Sequence, residues 1–208
     1  CPRRFRSDVG KAPAGRGVNE GARNVAAPRG ALLAGVALLA AAWAVLRLAS
    51  GFDGLYGQDA HEYLRFAGEV RAFLAGGPRP AAFFWPVVYP TLAALLSFVT
   101  GSLPAAAQLV SALSLLGAFA AGATALARRF PSDARLAVAY WGAGFALAPF
   151  VFRASLASMS DLLGAAFLCG FLLFAFDWER DGRAGDLALA SFFAVAAGTS
   201  PVASIRSG

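Results

Sequence analysis

Apolar residues along the chain fall into long runs that short polar segments separate. The runs cover 30–49, 105–127, 136–152, 162–176 and 187–203. A helix needs about 17–25 such residues to cross the hydrocarbon core of a bilayer, and the shorter runs reach this length by borrowing flanking residues. The pattern predicts an all-α integral membrane protein, a bundle of several membrane-spanning helices.

The segment 50–82 is polar overall, yet its apolar residues recur at helical spacing. Such a pattern is typical of an external helix that lies on the membrane surface beside the first span. Gly76 and Gly77, followed by Pro78, are expected to end it. The apolar positions are Tyr63, Phe66, Ala67, Val70, Phe73 and Leu74, and the polar face holds Asp59, Glu62, Arg65 and Glu69.

The apolar stretch 83–101 contains Pro86 and Pro90, each of which removes a backbone donor and disfavours helix at the preceding residue. The helix is therefore expected to begin near Pro90. About 11 residues then remain, or about 17 Å, which is roughly half the hydrocarbon thickness. The stretch is predicted to be re-entrant or interfacial, and the alternative is that it spans.

The arginines favour the re-entrant reading. The loops 128–135 and 177–186 carry five of the eleven arginines that follow residues 1–29, and residues 1–29 read as a disordered basic tail. Short arginine-rich loops belong in the cytoplasm. If 83–101 does not cross, both loops and the tail are cytoplasmic, and Asp59 and Asp161 are external.

Composition narrows the class of protein further. Hydrophobic residues make up 58% and charged residues 14%, against about 45–50% and about 25% in soluble domains. The net charge of +6 forms no compact basic stripe with interleaved aromatics, so nucleic acid is not an expected partner. Cys1, Cys169 and His61 supply neither a disulfide framework nor a zinc site. The start at Cys1 and the end just after an apolar run indicate a fragment, or a gene product cut short. We expect the N-terminal part of a multi-pass protein of the bacterial inner (plasma) membrane.

Three charged residues, Asp59, Arg153 and Asp161, are candidates for a functional role. Asp59 lies just past the first apolar run, where it is either a functional carboxylate at the mouth of the bundle or a helix N-cap. Arg153 and Asp161 bracket a short outer turn. Charges beside lipid are costly, so they are expected to face a cavity. The alternative is a surface ion pair of little energetic value.

Four stretches resemble landmarks of the GT-C membrane glycosyltransferases, which include the family 39 protein mannosyltransferases and the aminoarabinose transferases. Residues 57–67 are similar to the acidic first external loop, although Ala60 stands where many members have Glu. The other three are the proline-rich 85–90, the basic turn 127–130 and the acidic turn 158–161. A stretch beginning at Gly198 is similar to one where relatives often place an Arg, and Ser200 stands there instead.

The resemblance implies transfer of a sugar from a polyprenyl-phosphate donor at the external membrane face. A carboxylate in reach of the acceptor hydroxyl can act as general base, and a guanidinium matches the leaving phosphate. The acceptor, whether lipid, glycan or protein, stays open, as does a divalent cation held by the two carboxylates. The expected catalytic residues are Asp59 and Asp161, and the expected substrate-binding residues are Glu62, Tyr63, Arg65, Trp85, Tyr89 and Arg153.

Simpler readings stand beside several of these assignments. Arg65 fits a solvated helix face, and Trp85 and Tyr89 fit interfacial anchoring. For the whole chain, the alternative function is a fragment of a secondary transporter or channel. In that class, ionisable residues lie near the middle of the bilayer rather than at the ends of the spans.

Overall fold

The computed structural model describes residues 29–198, and within that range every regular element is helical. The all-α prediction is confirmed for this part of the chain. The basic tail before Arg29, the end of the run 187–203 and the Ser200 position lie outside the described residues. The helices are α1 Arg29–Ser50, α2 Gly57–Leu74, α3 Val88–Thr100, α4 Leu103–Arg129, α5 Ala134–Leu147, α6 Pro149–Leu156, α7 Asp161–Asp181 and α8 Ala184–Gly198, with a 3₁₀ turn at Pro131–Asp133.

Three helices are long and apolar enough to cross a membrane by length and composition. They are α1, α4 and α7, and the pair α5–α6 makes a fourth if it is counted as one bent span. Large apolar side chains such as Leu48, Leu147 and Val195 are exposed on the outside of the bundle.

Helix α4 is the centre of the bundle and contacts α1, α3, α5, α6 and α7. Its start follows from local sequence. The Ser102 hydroxyl accepts a hydrogen bond from the backbone N–H of Ala105, and Pro104 occupies the first turn, where its missing N–H costs nothing. Small residues such as Ala106, Ala118 and Ala123 are buried along its length, which lets neighbouring helices approach closely.

Contacts at the two ends of α4 fix the helix directions. At its start, the Gln108 amide donates to the carbonyl of Leu156, just before α7, and at its end Arg128 pairs with Asp177 near the end of α7. Thus α4 and α7 run parallel. Helix α1 runs the opposite way, because Arg47 in its last turn bonds Gln108. The chain therefore leaves α1 and enters α4 at the same end, and the segment 51–102 makes no net crossing of the bundle.

The run 136–152 does not form one continuous helix, although the bent pair α5–α6 is still long and apolar enough to count as one span. The chain breaks at Ala148, and the flanking helices α5 and α6 are bent by 68° relative to each other. The cause is Pro149, which disfavours helical geometry at the residue before it. Ala148 accordingly takes an extended conformation, with φ −99° and ψ 91°.

The helix in the segment 83–101 begins close to the residue that its prolines predict. Residues 83–87 are not helical, and α3 begins at Val88, two residues earlier than expected. It ends at Thr100, where Gly101 adopts a left-handed conformation with φ +71°. Its 13 residues extend about 20 Å, short of the roughly 30 Å hydrocarbon core.

Helix α2 is amphipathic, but protein covers its apolar face. Tyr63, Phe66, Ala67 and Val70 are buried in one cluster with residues of α3, α4 and α7. The expectation that this face rests on a membrane surface is therefore wrong for its first three turns. At the end of the helix, Phe73 and Leu74 remain about half exposed.

Candidate functional site

A buried amide holds two loops together at one end of the bundle. Gln108 is 2% exposed. Its Oε1 accepts from Nε of Arg47 at 2.6 Å, and its Nε2 donates to the carbonyls of Phe52 at 3.0 Å and Leu156 at 3.2 Å. The loop that leads into α2 and the loop that leads into α7 are thereby attached to the same side chain of α4.

Direct contacts between these loops add to the attachment. The backbone N–H of Ser158 donates to the carbonyl of Gly54 at 2.8 Å. Gly54 has φ +91°, and a Cβ there would lie 2.8 Å from both the Gln108 side chain and the Ser158 hydroxyl. A side chain at this position would be strained and would also clash, so the close approach of the two loops requires glycine.

Tyr63 links α2 to the residue before α7, and the charges of both expected catalytic carboxylates affect its pKa. Its hydroxyl shares a hydrogen bond of 2.7 Å with the Ser160 hydroxyl, which joins α2 to the residue before α7. Burial raises the pKa of Tyr63, and the negative charges of Asp161 and Asp59 raise it further against the opposing effect of the Ser160 bond. Both carboxylates therefore act on one phenol, which stays protonated as a neutral donor at physiological pH.

Asp59 does not cap α2. The helix begins at Gly57 after the cap residue Tyr56, which makes no side-chain capping bond, so Asp59 lies in the first turn. Within residues 29–198, neither Asp59 nor Asp161 forms a hydrogen bond or an ion pair in the structure. The N-cap reading is therefore wrong, and the carboxylate oxygens remain available to a ligand.

A polar cavity opens beside Asp161. Its volume is about 240 Å³, and it lies between the start of α7, the start of α3 and the end of α8. The polar side chains in its wall are those of Tyr89, Ser160 and Asp161, while Pro86, Leu163 and Phe167 supply apolar surface.

An apolar groove of about 470 Å³ continues from this cavity between α3, α4, α7 and α8. Leu163 and Phe167 line both spaces, which makes them adjacent. The groove wall is almost entirely aliphatic and aromatic, with Leu92, Leu113 and Phe174 among its members. A polar cavity joined to an apolar groove fits a ligand that has a polar head and a hydrocarbon tail.

Arg153 is not the ion-pair partner of Asp161 in the described structure. Its guanidinium carbon lies 4.1 Å from the centroid of the Tyr56 ring, over its face. This is the geometry of a cation–π contact. The stacked guanidinium is exposed and keeps its N–H donors free to bind an anion. The surface ion-pair reading is wrong for this pair.

The other expected binding residues fall into two groups. Arg65 pairs with Glu62 at 2.9 Å and with Glu69 on the exposed face of α2, which fits the solvated-face reading. Tyr89 is buried in the protein interior, and Trp85 is partly buried. Trp85 packs against the buried cluster, and the Tyr89 hydroxyl donates to the carbonyl of Ala107 at 2.8 Å. Tyr89 still presents part of its surface to the polar cavity.

A divalent cation would have few protein ligands. In the part of the chain that the structure describes, no three His, Cys, Asp or Glu side chains are grouped to hold a metal ion. Asp59 and Asp161 are the only carboxylates that act on Tyr63. An ion between them would rely on water or on substrate oxygens for most of its coordination.

Sequence reasoning missed Arg47, Gln108 and Ser160. Gln108 is the single amide in the apolar run 105–127, and Arg47 is a charge inside the end of the first run. A polar side chain within a membrane-length run is a functional signal by default. Ser160 carries no comparable signal, because its role arises from the fold that brings α2 next to α7.

The chain was compared with known proteins at three levels. No family model, curated protein or solved structure matches it.

Proposed function

We propose that this chain belongs to a multi-pass membrane glycosyltransferase of the GT-C type, which transfers a sugar from a polyprenyl-phosphate donor. One observation carries the proposal. The polar cavity beside Asp161 and the apolar groove between α3, α4 and α7 share the wall residues Leu163 and Phe167. A lipid-linked sugar has the same division, with a polar head at the membrane boundary and a long hydrocarbon tail within the bilayer.

The reaction assigns a separate role to each charged group. Asp59 takes the proton of the acceptor hydroxyl while that oxygen bonds to the anomeric carbon. The bond from the anomeric carbon to the phosphate oxygen breaks, and its electron pair leaves on the lipid phosphate. Asp161 orients the acceptor or the sugar, and Tyr63, whose hydroxyl bonds the Ser160 hydroxyl, holds α2 against the start of α7. Arg153 supplies a countercharge for the phosphate, because guanidinium donors match phosphate oxygens in pairs.

The distribution of charge favours transfer over transport. Among residues 29–198, the charged side chains at issue lie at the ends of the bundle: Asp59 and Asp161 at one end, Arg128 and Asp177 at the other. A transporter or channel is expected to hold such groups near the middle of the bilayer, where its substrate crosses.

A substitution inside the groove tests the lipid-tail assignment. Gly117 lines the groove, and a Cβ there meets only the Ala166 Cβ at 3.9 Å, so a larger side chain would grow into the open space. Gly117→Leu is expected to weaken binding of a fluorescent polyprenyl phosphate about tenfold, since overlap of the new side chain with the lipid tail costs about 1–3 kcal/mol, as overpacking does. Titration of the lipid into protein in detergent micelles measures the change.

Gly144→Leu is the matched control for this experiment. Gly144 also lies on an exposed helix face, no atom lies within 4 Å of its Cβ position, and it is outside the groove. The control is expected to bind the lipid like the parent protein. Equal binding by the Gly117→Leu and Gly144→Leu proteins would remove the groove from the proposal.

The orientation in the membrane is a separate prediction. We expect the end with Asp59 and Asp161 to face outward and the end with Arg128 and Arg180 to face the cytoplasm, because short arginine-rich loops are retained inside. In a background with Cys1 and Cys169 replaced by Ser, His61→Cys and Asp161→Cys should react with an impermeant maleimide added to intact cells. Arg135→Cys should react only after the cells are opened. Labelling of positions 61 and 161 from opposite sides would contradict a shared site.

A further inference from the structure

The basic end of the bundle contains a second cavity that the proposed reaction does not use. It has a volume of about 250 Å³ and lies between the last turns of α4 and α7. Three arginines line it, together with two acidic residues and one aromatic ring. These residues are Arg128, Arg129, Arg180, Asp177, Glu179 and Phe176.

Asp177 fixes the position of two of the guanidinium groups. Its carboxylate is 4% exposed and is shared between Arg128 and Arg180, whose side chains are 40% and 52% exposed. Each guanidinium therefore contacts Asp177 on one side and faces solvent on the other. A guanidinium carries five N–H donors, so the contact with Asp177 leaves donors of Arg128 unused. Asp177 thus holds the two arginines in place while some of their N–H donors remain available to a ligand.

Arg129 is the one arginine in the wall of this cavity that forms no ion pair with the described residues. It forms no ion pair with any residue in 29–198, while Arg180 also contacts Asp181 and Arg183 pairs with Asp181 and Asp186. The wall of the cavity thus carries three positive and two negative side chains, and one of the negative ones is buried beneath two arginines. The net positive charge of the cavity wall therefore attracts an anion.

The cavity lies at the depth where phospholipid headgroups are found. Helix α4 has 27 residues, or about 40 Å, so its last turns extend beyond the roughly 30 Å hydrocarbon core into the headgroup region. Phe176 in the wall and the exposed Trp178 beside it are typical of that interface. Basic pockets between the cytoplasmic ends of membrane helices are suited to anionic lipid headgroups.

We propose that the cavity lined by Arg128, Arg129 and Arg180 binds the phosphate of an anionic phospholipid from the leaflet at the basic end. The proposal requires that the chain cross a membrane, and it is independent of sugar transfer at the opposite end. Phosphate is the shared chemistry of a lipid headgroup and of free inorganic phosphate. The experiment therefore distinguishes these two sources.

The test uses the full chain in nanodiscs of phosphatidylcholine, into which a fluorescent short-chain phosphatidylglycerol is titrated. Arg129→Gln is expected to weaken binding about tenfold, or about 1.4 kcal/mol, because it removes a charge-assisted hydrogen bond to the phosphate. Glu179→Gln removes a negative charge from the cavity wall and is expected to strengthen binding. Both residues are exposed and lie outside the ion pairs of the described chain, so neither change should impair folding.

Arg135→Gln is the matched control, since Arg135 is an exposed arginine on α5 outside the cavity. Unchanged binding by this variant supports a local site. Equal weakening by Arg129→Gln and Arg135→Gln would show attraction by overall charge and overturn the proposal. Displacement of the lipid by inorganic phosphate at matched concentration would overturn the assignment to a lipid, because a headgroup anchored by its tails should resist a free ion. Either of these contrary results would say nothing against the proposed site at Asp59 and Asp161.

Discussion

Asp59→Asn is expected to lower the rate of sugar transfer by about 10²–10⁴, the usual cost of losing a positioned general base. The amide has nearly the shape of the carboxylate but cannot accept the proton of the acceptor hydroxyl. Because Asp59 makes no hydrogen bond or ion pair with the described residues, its replacement should leave expression and thermal stability near those of the parent protein. Single-turnover transfer with a polyprenyl-phosphate sugar, in the protein as it occurs in its membrane, measures the effect.

Asp53→Asn provides the matched control, because it makes the same chemical change close by, in the loop that precedes α2. The Asp53 Oδ1 accepts a hydrogen bond from the backbone N–H of Leu55 at 2.9 Å, and an asparagine oxygen can do the same. Near-normal transfer is expected from this variant. Asp161→Asn should cost less than Asp59→Asn if Asp161 only orients, and as much if both carboxylates hold one cation. Transfer at the parental rate by the Asp59→Asn protein would contradict the proposed function.

Gln108→Leu is expected to lower the free energy of unfolding by about 2–4 kcal/mol. Leucine is similar in size, so the change leaves little cavity, but it removes three hydrogen bonds that join α4 to Arg47, Phe52 and Leu156. Each buried group left without a partner costs about 1–3 kcal/mol. The total is reduced because Arg47 is only half-buried and can turn towards water. Chemical unfolding in mixed micelles measures the loss.

Ser114→Ala is the control for this substitution. Ser114 is also a buried polar residue of α4, but its hydroxyl donates to the Val110 carbonyl one turn earlier in the same helix, at 2.7 Å. Its removal should cost less than about 1 kcal/mol, the net value of an ordinary hydrogen bond. If both variants lose the same stability, Gln108 contributes burial alone and does not join the loops.

Local sequence predicts the helices of this protein well where proline and glycine act on nearest neighbours. Pro86 and Pro90 account for the short α3, and Gly101 for its end, because these residues restrict or permit backbone angles at specific positions. The same rule applied to Pro149 would have predicted the break at Ala148. It was missed because the apolar run 136–152 continues through the bend.

The arrangement of the site is less accessible from sequence. Gln108 joins residues that are 61, 56 and 48 positions away, and such contacts depend on which helices become neighbours. The spacing of the apolar residues predicts helix α2 correctly. The same spacing does not show whether a membrane surface or other helices cover the apolar face. Arg153 was expected to face a cavity or to pair with Asp161. Its contact with Tyr56 follows from the bend at Ala148, which sets the direction of α6.

The ion pair between Arg128 and Asp177 has a mechanical consequence for the groove. It joins α4 directly to α7 at one end. At the other end, Gln108 and Ser111 of α4 donate to the carbonyls of Leu156 and Ala157, which precede α7. If the helices move apart, they must do so like the arms of a hinge, with the smallest displacement at Asp177 and the largest near Asp161. A bulky tail would therefore enter sideways most easily close to the polar recess, and the groove would narrow towards the fastened end.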